Sequence, residues 1–283
     1  MFKQVTIMGP GLLGASLVLA IKKNHLAEKI VVWARSNESA ENALEKLPVD
    51  QVEENPASSV KGSDLVILCT PVETIASILE SIVKELNQHC LVTDVGSVKV
   101  EVCTEAKNLF KFSTSTFIGS HPMAGSEKSG MDHASESLFL NRPCIITPDD
   151  NKDTEFLKKL NLFWEQLGMK SIIMTPQDHD KQLSEISHLP HVVSSVLAHS
   201  LSEKVDVASM LCGQGLRDTV RIAGGNPELW AGIIEQNQIN ILSSLHRFEN
   251  SIEIVRSLIS QRDFKGLTKF LERGATFQNK INK

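Results

Sequence analysis

The sequence predicts an α/β domain with a doubly wound, parallel sheet, followed by an all-α domain. Three observations carry this. Apolar, β-rich runs alternate with helical stretches up to Thr175, the pattern of parallel strands joined by crossover helices. A glycine-rich turn, Gly9 to Gly14, joins the first such run to a helix. Beyond Thr175-Pro176 the β-like runs disappear and helical periodicity takes over. The expected division is residues 1–175 and residues 176–283.

Size and composition agree with this. A chain of 283 residues has room for two ordinary domains. Its 41% hydrophobic and 22% charged content is that of a globular protein. A formal net charge of -5 offers no basic footprint for nucleic acid or an anionic membrane, so neither is expected as a partner. Cys69, Cys90, Cys103, Cys144 and Cys212 are scattered without a CxxC pair. That predicts reduced thiols in a cytoplasmic protein, with no disulfide framework and no metal site. The apolar run from Val5 to Ile21 has lysines on either side, as a signal peptide would. It is interrupted by Gly9-Pro10-Gly11 and Gly14 and lacks a small-residue cleavage site, so a strand, a turn and a helix explain it better. No other segment approaches the roughly 20 apolar residues of a membrane span.

The first strand is expected at Gln4 to Met8. Gly9-Pro10-Gly11-Leu12-Leu13-Gly14 follows, and Ala15 to Ile21 is helical. A GxGxxG between strand and helix marks a Rossmann-type dinucleotide site. Its first glycine makes the turn, the second lets a pyrophosphate approach the backbone, and the third lets helix pack on strand. The helix start adds free N–H groups and partial positive charge. The second strand, Lys29 to Trp33, ends in Ala34-Arg35-Ser36-Asn37, with no acid for a ribose hydroxyl. Arg35 and Ser36 suit a 2′-phosphate, which favours NADP over NAD. The plainer reading of Arg35 is an ordinary surface arginine.

Further strands are expected at Asp64 to Thr70, stopped by Pro71, and at Cys90 to Val95, with a helix from about Val72 to Leu86 between them. Asn141 to Thr147 reads as another strand, Asp153 to Leu167 as an amphipathic helix and Lys170 to Met174 as a last strand. Ligands of such sheets sit off the carboxyl ends of the strands. Thr70-Pro71 and the run from Asp94 to Lys99 fall there.

So does Ile118 to Gly130, which gathers His121, Ser120, Ser126, Glu127, Lys128 and three glycines with little apolar bulk. Pro122 restricts His121 to extended backbone. The run reads as a loop whose polar groups must meet water, each other or a substrate. A solvated surface loop is the bland alternative, and its place among strand ends argues against it.

The second half begins with a helix from Asp178 to about Glu203, in which Pro190 must remove a backbone bond and kink the helix. His188 and His191 share one face. Taken singly, His188 and His199 read as packed or solvated side chains. Arg217 and Arg221, four apart, face one site if helical. Asn226-Pro227-Glu228 is a helix start, with the helix expected to run to about Gln261. Ile241, Leu245, Phe248, Ile252, Val255 and Ile259 form a heptad stripe along it, fit for burial in a bundle or across a dimer interface. Only about 20 residues follow, too few for a regulatory domain.

These residues together resemble the prephenate dehydrogenase family, which includes arogenate and cyclohexadienyl dehydrogenases. The likeness runs from Lys3 to about Gln261. It rests on GPGLLGAS (Gly9 to Ser16), CTPVE (Cys69 to Glu73), TDVGSVK (Thr93 to Lys99), GSHPMAGSEKSG (Gly119 to Gly130), the histidine set from His179 to His191, and GLRDTVRIAGGNPELW (Gly215 to Trp230).

The resemblance implies oxidative decarboxylation of prephenate to 4-hydroxyphenylpyruvate with hydride transfer to NADP or NAD, on the route to tyrosine. It implies that His121 polarises the 4-hydroxyl as general base and that Ser97 bonds the same hydroxyl or orients His121. Arg221 would grip a substrate carboxylate through its guanidinium fork, with Arg217 as the structural alternative. His191, Ser126 and Glu127 would lie around the side-chain end and mouth of the site, His179 near cofactor and substrate, and Trp230 in the wall. Gly9, Gly11, Leu12, Leu13, Gly14, Arg35, Ser36, Thr70 and Pro71 would hold the cofactor. A homodimer through the helical domain is expected. Two alternatives stay open: an arogenate or dual-specificity dehydrogenase, and a noncatalytic dinucleotide sensor with no use for His121 and Arg221.

Overall fold

The structure, a computed structural model, describes residues 2–125, 130–149 and 154–281. Its chain divides into two compact units, Met1–Asn237 and Gln238–Lys283.

The first unit is built on a six-stranded parallel sheet. Its strands are β1 (Phe2–Met8), β2 (Ala27–Trp33), β3 (Gln51–Glu53), β4 (Leu65–Leu68), β5 (Leu91–Asp94) and β6 (Thr116–Phe117), in the order β3-β2-β1-β4-β5-β6. Between them run α1 (Leu12–Lys23), α2 (Asn37–Lys46), α3 (Pro56–Ser59), α4 (Ile75–Ile82) and α5 (Val100–Leu109). The strands are apolar on both faces because both are covered. Val5, Ile7, Ile30, Val32, Leu65 and Ile67 join one core cluster, while Met8, Val66, Leu68 and Val92 join the other. That is the doubly wound α/β arrangement the sequence predicts, with β3 and β6 added at its edges.

A second sheet of three strands follows: β7 (Gly119–Pro122), β8 (Pro143–Thr147) and β9 (Lys170–Ile173), with α6 (Thr154–Gln166) before β9. β7 pairs antiparallel with β8, and β8 parallel with β9. This corrects the reading of the His121 run as a loop. Gly119, Ser120, His121 and Pro122 are all buried strand residues. Long-range partners hold them there: His121 sits opposite Ile145, Ser120 N donates to Asp94 Oδ1 at 3.1 Å, and Trp164 Nε1 donates to Ser120 Oγ at 3.1 Å.

Helices complete the first unit: α7 (Pro176–Leu183), a π-helical turn at Ser184–His188, α8 (Leu189–Ser200), α9 (Val205–Leu211), α10 (Gln214–Val220) and α11 (Pro227–Gln236). Pro190 lacks the N–H that a regular α-helix would use, and the wider turn lies just before it. Asn226 Oδ1 caps α11 by accepting from Leu229 N at 3.0 Å, as the sequence predicts.

The single helix expected from Pro227 to about Gln261 is two. It breaks at Asn237, whose backbone leaves the helical region. The second unit then consists of α12 (Gln238–Ser260) and α13 (Phe264–Ile281). The turn between them has Arg262 at φ 55°, with Asp263 N bonded to the Leu258 carbonyl. Asp263 Oδ1 then caps α13 by accepting from Gly266 N at 2.9 Å. Among the described residues, no helix is long and apolar enough to cross a membrane.

Candidate active site

The strand order reverses between β1 and β4, and an open α/β sheet offers its ligand crevice at that point. Gly9 leaves β1 there at φ 103°, and a Cβ on it would stand 3.0 Å from Thr70 Cγ2. Gly14 is closed more tightly, since a Cβ would collide with the Gly9 carbonyl oxygen. Gly11 differs: a Cβ built on it would meet nothing within 4 Å. The turn is therefore packed from behind and open in front. Gly11 caps α1 without a side-chain bond, leaving first-turn N–H groups of Leu12 and Leu13 for a ligand. These residues fit a dinucleotide pyrophosphate. Thr70 Oγ1 accepts from Thr74 Oγ1 at 2.9 Å and Pro71 is exposed beside it. Arg35 and Ser36 are exposed beyond β2, and Ser36 Oγ also accepts from Ser39 N at 3.3 Å to cap α2.

Beyond the end of β5, the chain builds a buried polar chain around His121. His121 Nδ1 lies 2.8 Å from His179 Nε2. His179 Nδ1 lies 2.6 Å from Asp180 Oδ1. Asp180 in turn accepts from Lys99 N at 2.8 Å and Val100 N at 2.9 Å, at the start of α5. Lys99 Nζ is paired with Asp94, and neither side chain is exposed. Asn237 Nδ2, in the helix break, donates to the Asp180 carbonyl at 2.8 Å and lies 3.1 Å from His188 Nδ1.

These imidazoles are held neutral. Burial pushes His121 well below its ordinary value, and the neighbouring His179, Lys99 and His188 add to the effect. Burial lowers His179 as well, against its hydrogen bond to Asp180. His188 is lowered to about 4, by burial first, with Asp180 opposing. Its Nε2 makes no well-formed hydrogen bond, although the Ser97 backbone lies close enough to pull the value back up. Ser97 itself is half-buried in the turn after β5.

A second group adjoins His188. Trp230 meets it edge-on at 6.2 Å and stacks on His191 at 3.5 Å and 12°. A Cβ on Gly225 would touch both Trp230 and His191. Arg221 is exposed and begins the short 3-10 segment Arg221–Gly224 that leads into Gly225, while exposed Arg217 lies one turn earlier in α10. α11 brings Trp230 here by packing on the segment after β4, where a Cβ on Gly232 would be 3.1 Å from Glu73 Oε2.

The structure thus joins His121, His179, His188, Ser97, His191 and Trp230 through direct neighbours. Arg221 is tied to them only along its own segment. Ser126 and Glu127 lie outside the described residues. Asp180, Asn237 and the Lys99–Asp94 pair were missed in the sequence. Only the adjacency of Asp180 to His179 offered a signal. A cavity of about 230 Å³ along α5, lined by Cys103, Lys107, Phe110 and Thr147 among others, contains none of the expected site residues.

Comparison with known proteins agrees with this geometry. The family model of the prephenate dehydrogenase nucleotide-binding domain matches residues 17–173, and that of the prephenate dehydrogenase dimerization domain matches residues 175–273. The chain is 33% identical over 279 residues to the prephenate dehydrogenase of Bacillus subtilis (strain 168), covering 97% of this chain and 75% of that protein. The crystal structure of A. aeolicus prephenate dehydrogenase in complex with hydroxyphenyl propionate and NAD+ superposes with a TM-score of 0.92 at 28% identity, over 99% of each chain. Synechocystis arogenate dehydrogenase superposes with a TM-score of 0.83 at 32% identity, over 98% of this chain and 99% of that one. On the glycine turn, the strand-end histidine and these matches together, the chain belongs to the prephenate dehydrogenase family.

Proposed function

We propose that the chain oxidatively decarboxylates prephenate to 4-hydroxyphenylpyruvate, with a nicotinamide dinucleotide as oxidant. The observation that carries this reading is His121, buried beyond the sheet's strand ends and held neutral, so that it has a lone pair to offer. Bound along Gly9 to Gly14, the cofactor would supply the hydride acceptor. His121 accepts a hydrogen bond from the ring hydroxyl as hydride leaves the carbon bearing it. The bond to the ring carboxylate breaks as carbon dioxide departs, and its electron pair makes the ring aromatic. The shared proton returns to the oxygen, so the product is a phenol and no net proton is released. Ser97 orients the hydroxyl or His121, Arg221 grips a substrate carboxylate, and His191 stacked on Trp230 forms the wall at the side-chain end.

NADP is favoured over NAD. Arg35 stands exposed beyond β2, where an NAD enzyme usually has a carboxylate. The division of labour puts the dinucleotide on residues 1–175 and substrate contacts and dimer formation on residues 176–283. A homodimer is supported by the family description of residues 175–273 and by the exposed apolar side chains Leu242, Ile252, Phe264, Leu271 and Phe277. The free cysteines suit the cytoplasm.

A second reading, use of arogenate, is favoured by the likeness to the Synechocystis enzyme. One spectrophotometric assay tests both, crossing prephenate and arogenate with NADP and NAD. Reduction with prephenate and NADP is the expected result. Binding of dinucleotide without turnover of either substrate would overturn the proposal in favour of a sensor.

A further inference from the structure

We infer that Asp180 is a positioning residue that fixes, through His179, which nitrogen of His121 is free to act as the base. The inference rests on the proposed reaction but is drawn from the hydrogen bonds alone. Asp180 takes three donors on its two carboxylate oxygens: Lys99 N and His179 Nδ1 on Oδ1, and Val100 N on Oδ2. A carboxylate accepting at both oxygens has no proton to give. His179 Nδ1 must then carry the hydrogen. A neutral imidazole has one N–H, so His179 Nε2 is a bare acceptor. His121 Nδ1, 2.8 Å away, must therefore be the donor in that bond. One nitrogen remains, and Nε2 of His121 is left with the lone pair.

Each link is needed for this outcome. Without an acceptor-only group at one end, two facing imidazoles can take either of two proton arrangements, and in one of them His121 presents an N–H to the substrate. That arrangement cannot accept from a ring hydroxyl. Asp180 is itself fixed from both sides, by the start of α5 and by Asn237 on its carbonyl. When His121 Nε2 shares the substrate proton, its Nδ1–H donates more strongly to His179, and the Asp180 carboxylate balances the charge that develops.

The test uses full-length protein labelled with ¹⁵N-histidine. Long-range ¹H–¹⁵N correlation near pH 7.5 reports which nitrogen of each imidazole is protonated, with His121 and His179 assigned from H121N and H179Q. In the wild type both rings should carry hydrogen on Nδ1. In D180N the side-chain amide can donate to His179 Nδ1, so both rings should switch toward the Nε2–H form. With prephenate, kcat should fall about 10²- to 10⁴-fold, while KM values stay within about threefold. An Nε2–H tautomer for His121 in the wild type overturns the inference, and that measurement needs no variant to fold. An unchanged His121 tautomer or full turnover in D180N overturns it as well. The Nδ1–H tautomers in a protein that turns over neither prephenate nor arogenate would leave this wiring standing and remove the proposed function instead.

Discussion

Lys99 and Asp94 form an ion pair from which water is wholly excluded. Asp94 also accepts from Gly96 N at 2.8 Å and from Ser120 N at 3.1 Å. One carboxylate thus ties the end of β5, the turn that follows it and β7, the strand bearing His121. Removing the ammonium leaves a buried charge without a counter-ion, which typically costs about 3–5 kcal/mol. Lys99→Met should lower unfolding free energy by that order in a urea titration. A loss below about 1 kcal/mol would show that the pair is not what joins these segments.

The glycine turn separates two effects that usually mix. Gly11→Ala meets no atom within 4 Å, so its thermal midpoint should stay within about 2 °C of wild type. Its methyl would occupy the space where a pyrophosphate approaches, so dinucleotide affinity should drop by about tenfold or more. Gly14→Ala should instead be strongly destabilised, because its methyl collides with the Gly9 carbonyl. Melting curves and fluorescence titration of the two variants check both statements.

His121→Asn should reduce kcat by about 10²- to 10⁴-fold and leave dinucleotide affinity near normal. The substitution keeps a polar side chain in strand β7 but removes the imidazole lone pair. A variant with full turnover would refute the assignment of the base.

Acid should weaken the fold before most carboxylates titrate. His188 is lowered to about 4, while an unfolded histidine titrates near 6.5. The unfolded chain therefore binds the proton first, and stability rises with pH across that window. The His188 contribution is fully present above about pH 6.5 and is lost as pH falls toward 4. Its surroundings act in both directions: Asp180 opposes the shift, while His179 and His191 reinforce it. Burial of His121 and His179 adds to the same trend. Urea midpoints measured between pH 7.5 and 4.5 should fall steadily, and His188→Gln should flatten the slope between pH 6.5 and 5.

The strands with β-branched runs were legible in the sequence because parallel strands buried on both faces are apolar throughout, as in Leu65 to Leu68. β7 was not, since Gly-Ser-His-Pro has no such pattern. Its conformation is imposed by β8, Asp94 and Trp164, all distant in sequence. The heptad stripe of α12 gave no warning of the break at Asn237. That residue leaves the helix where its amide meets Asp180 and His188, and periodicity does not register such a contact. In the site, His121 and His179 were found through family motifs. His188 was passed over as a packing histidine, and Lys99 as part of a turn. A fully buried lysine leaves no mark on local composition.

The π-helical turn at Ser184–His188 also limits which length changes the protein can tolerate. Deleting one residue from it would restore regular winding but rotate everything downstream by about 100°. His191 would swing away from the indole of Trp230, although every amino acid that recognises the ligand would still be present. Homologues that differ in length should therefore place their gaps elsewhere.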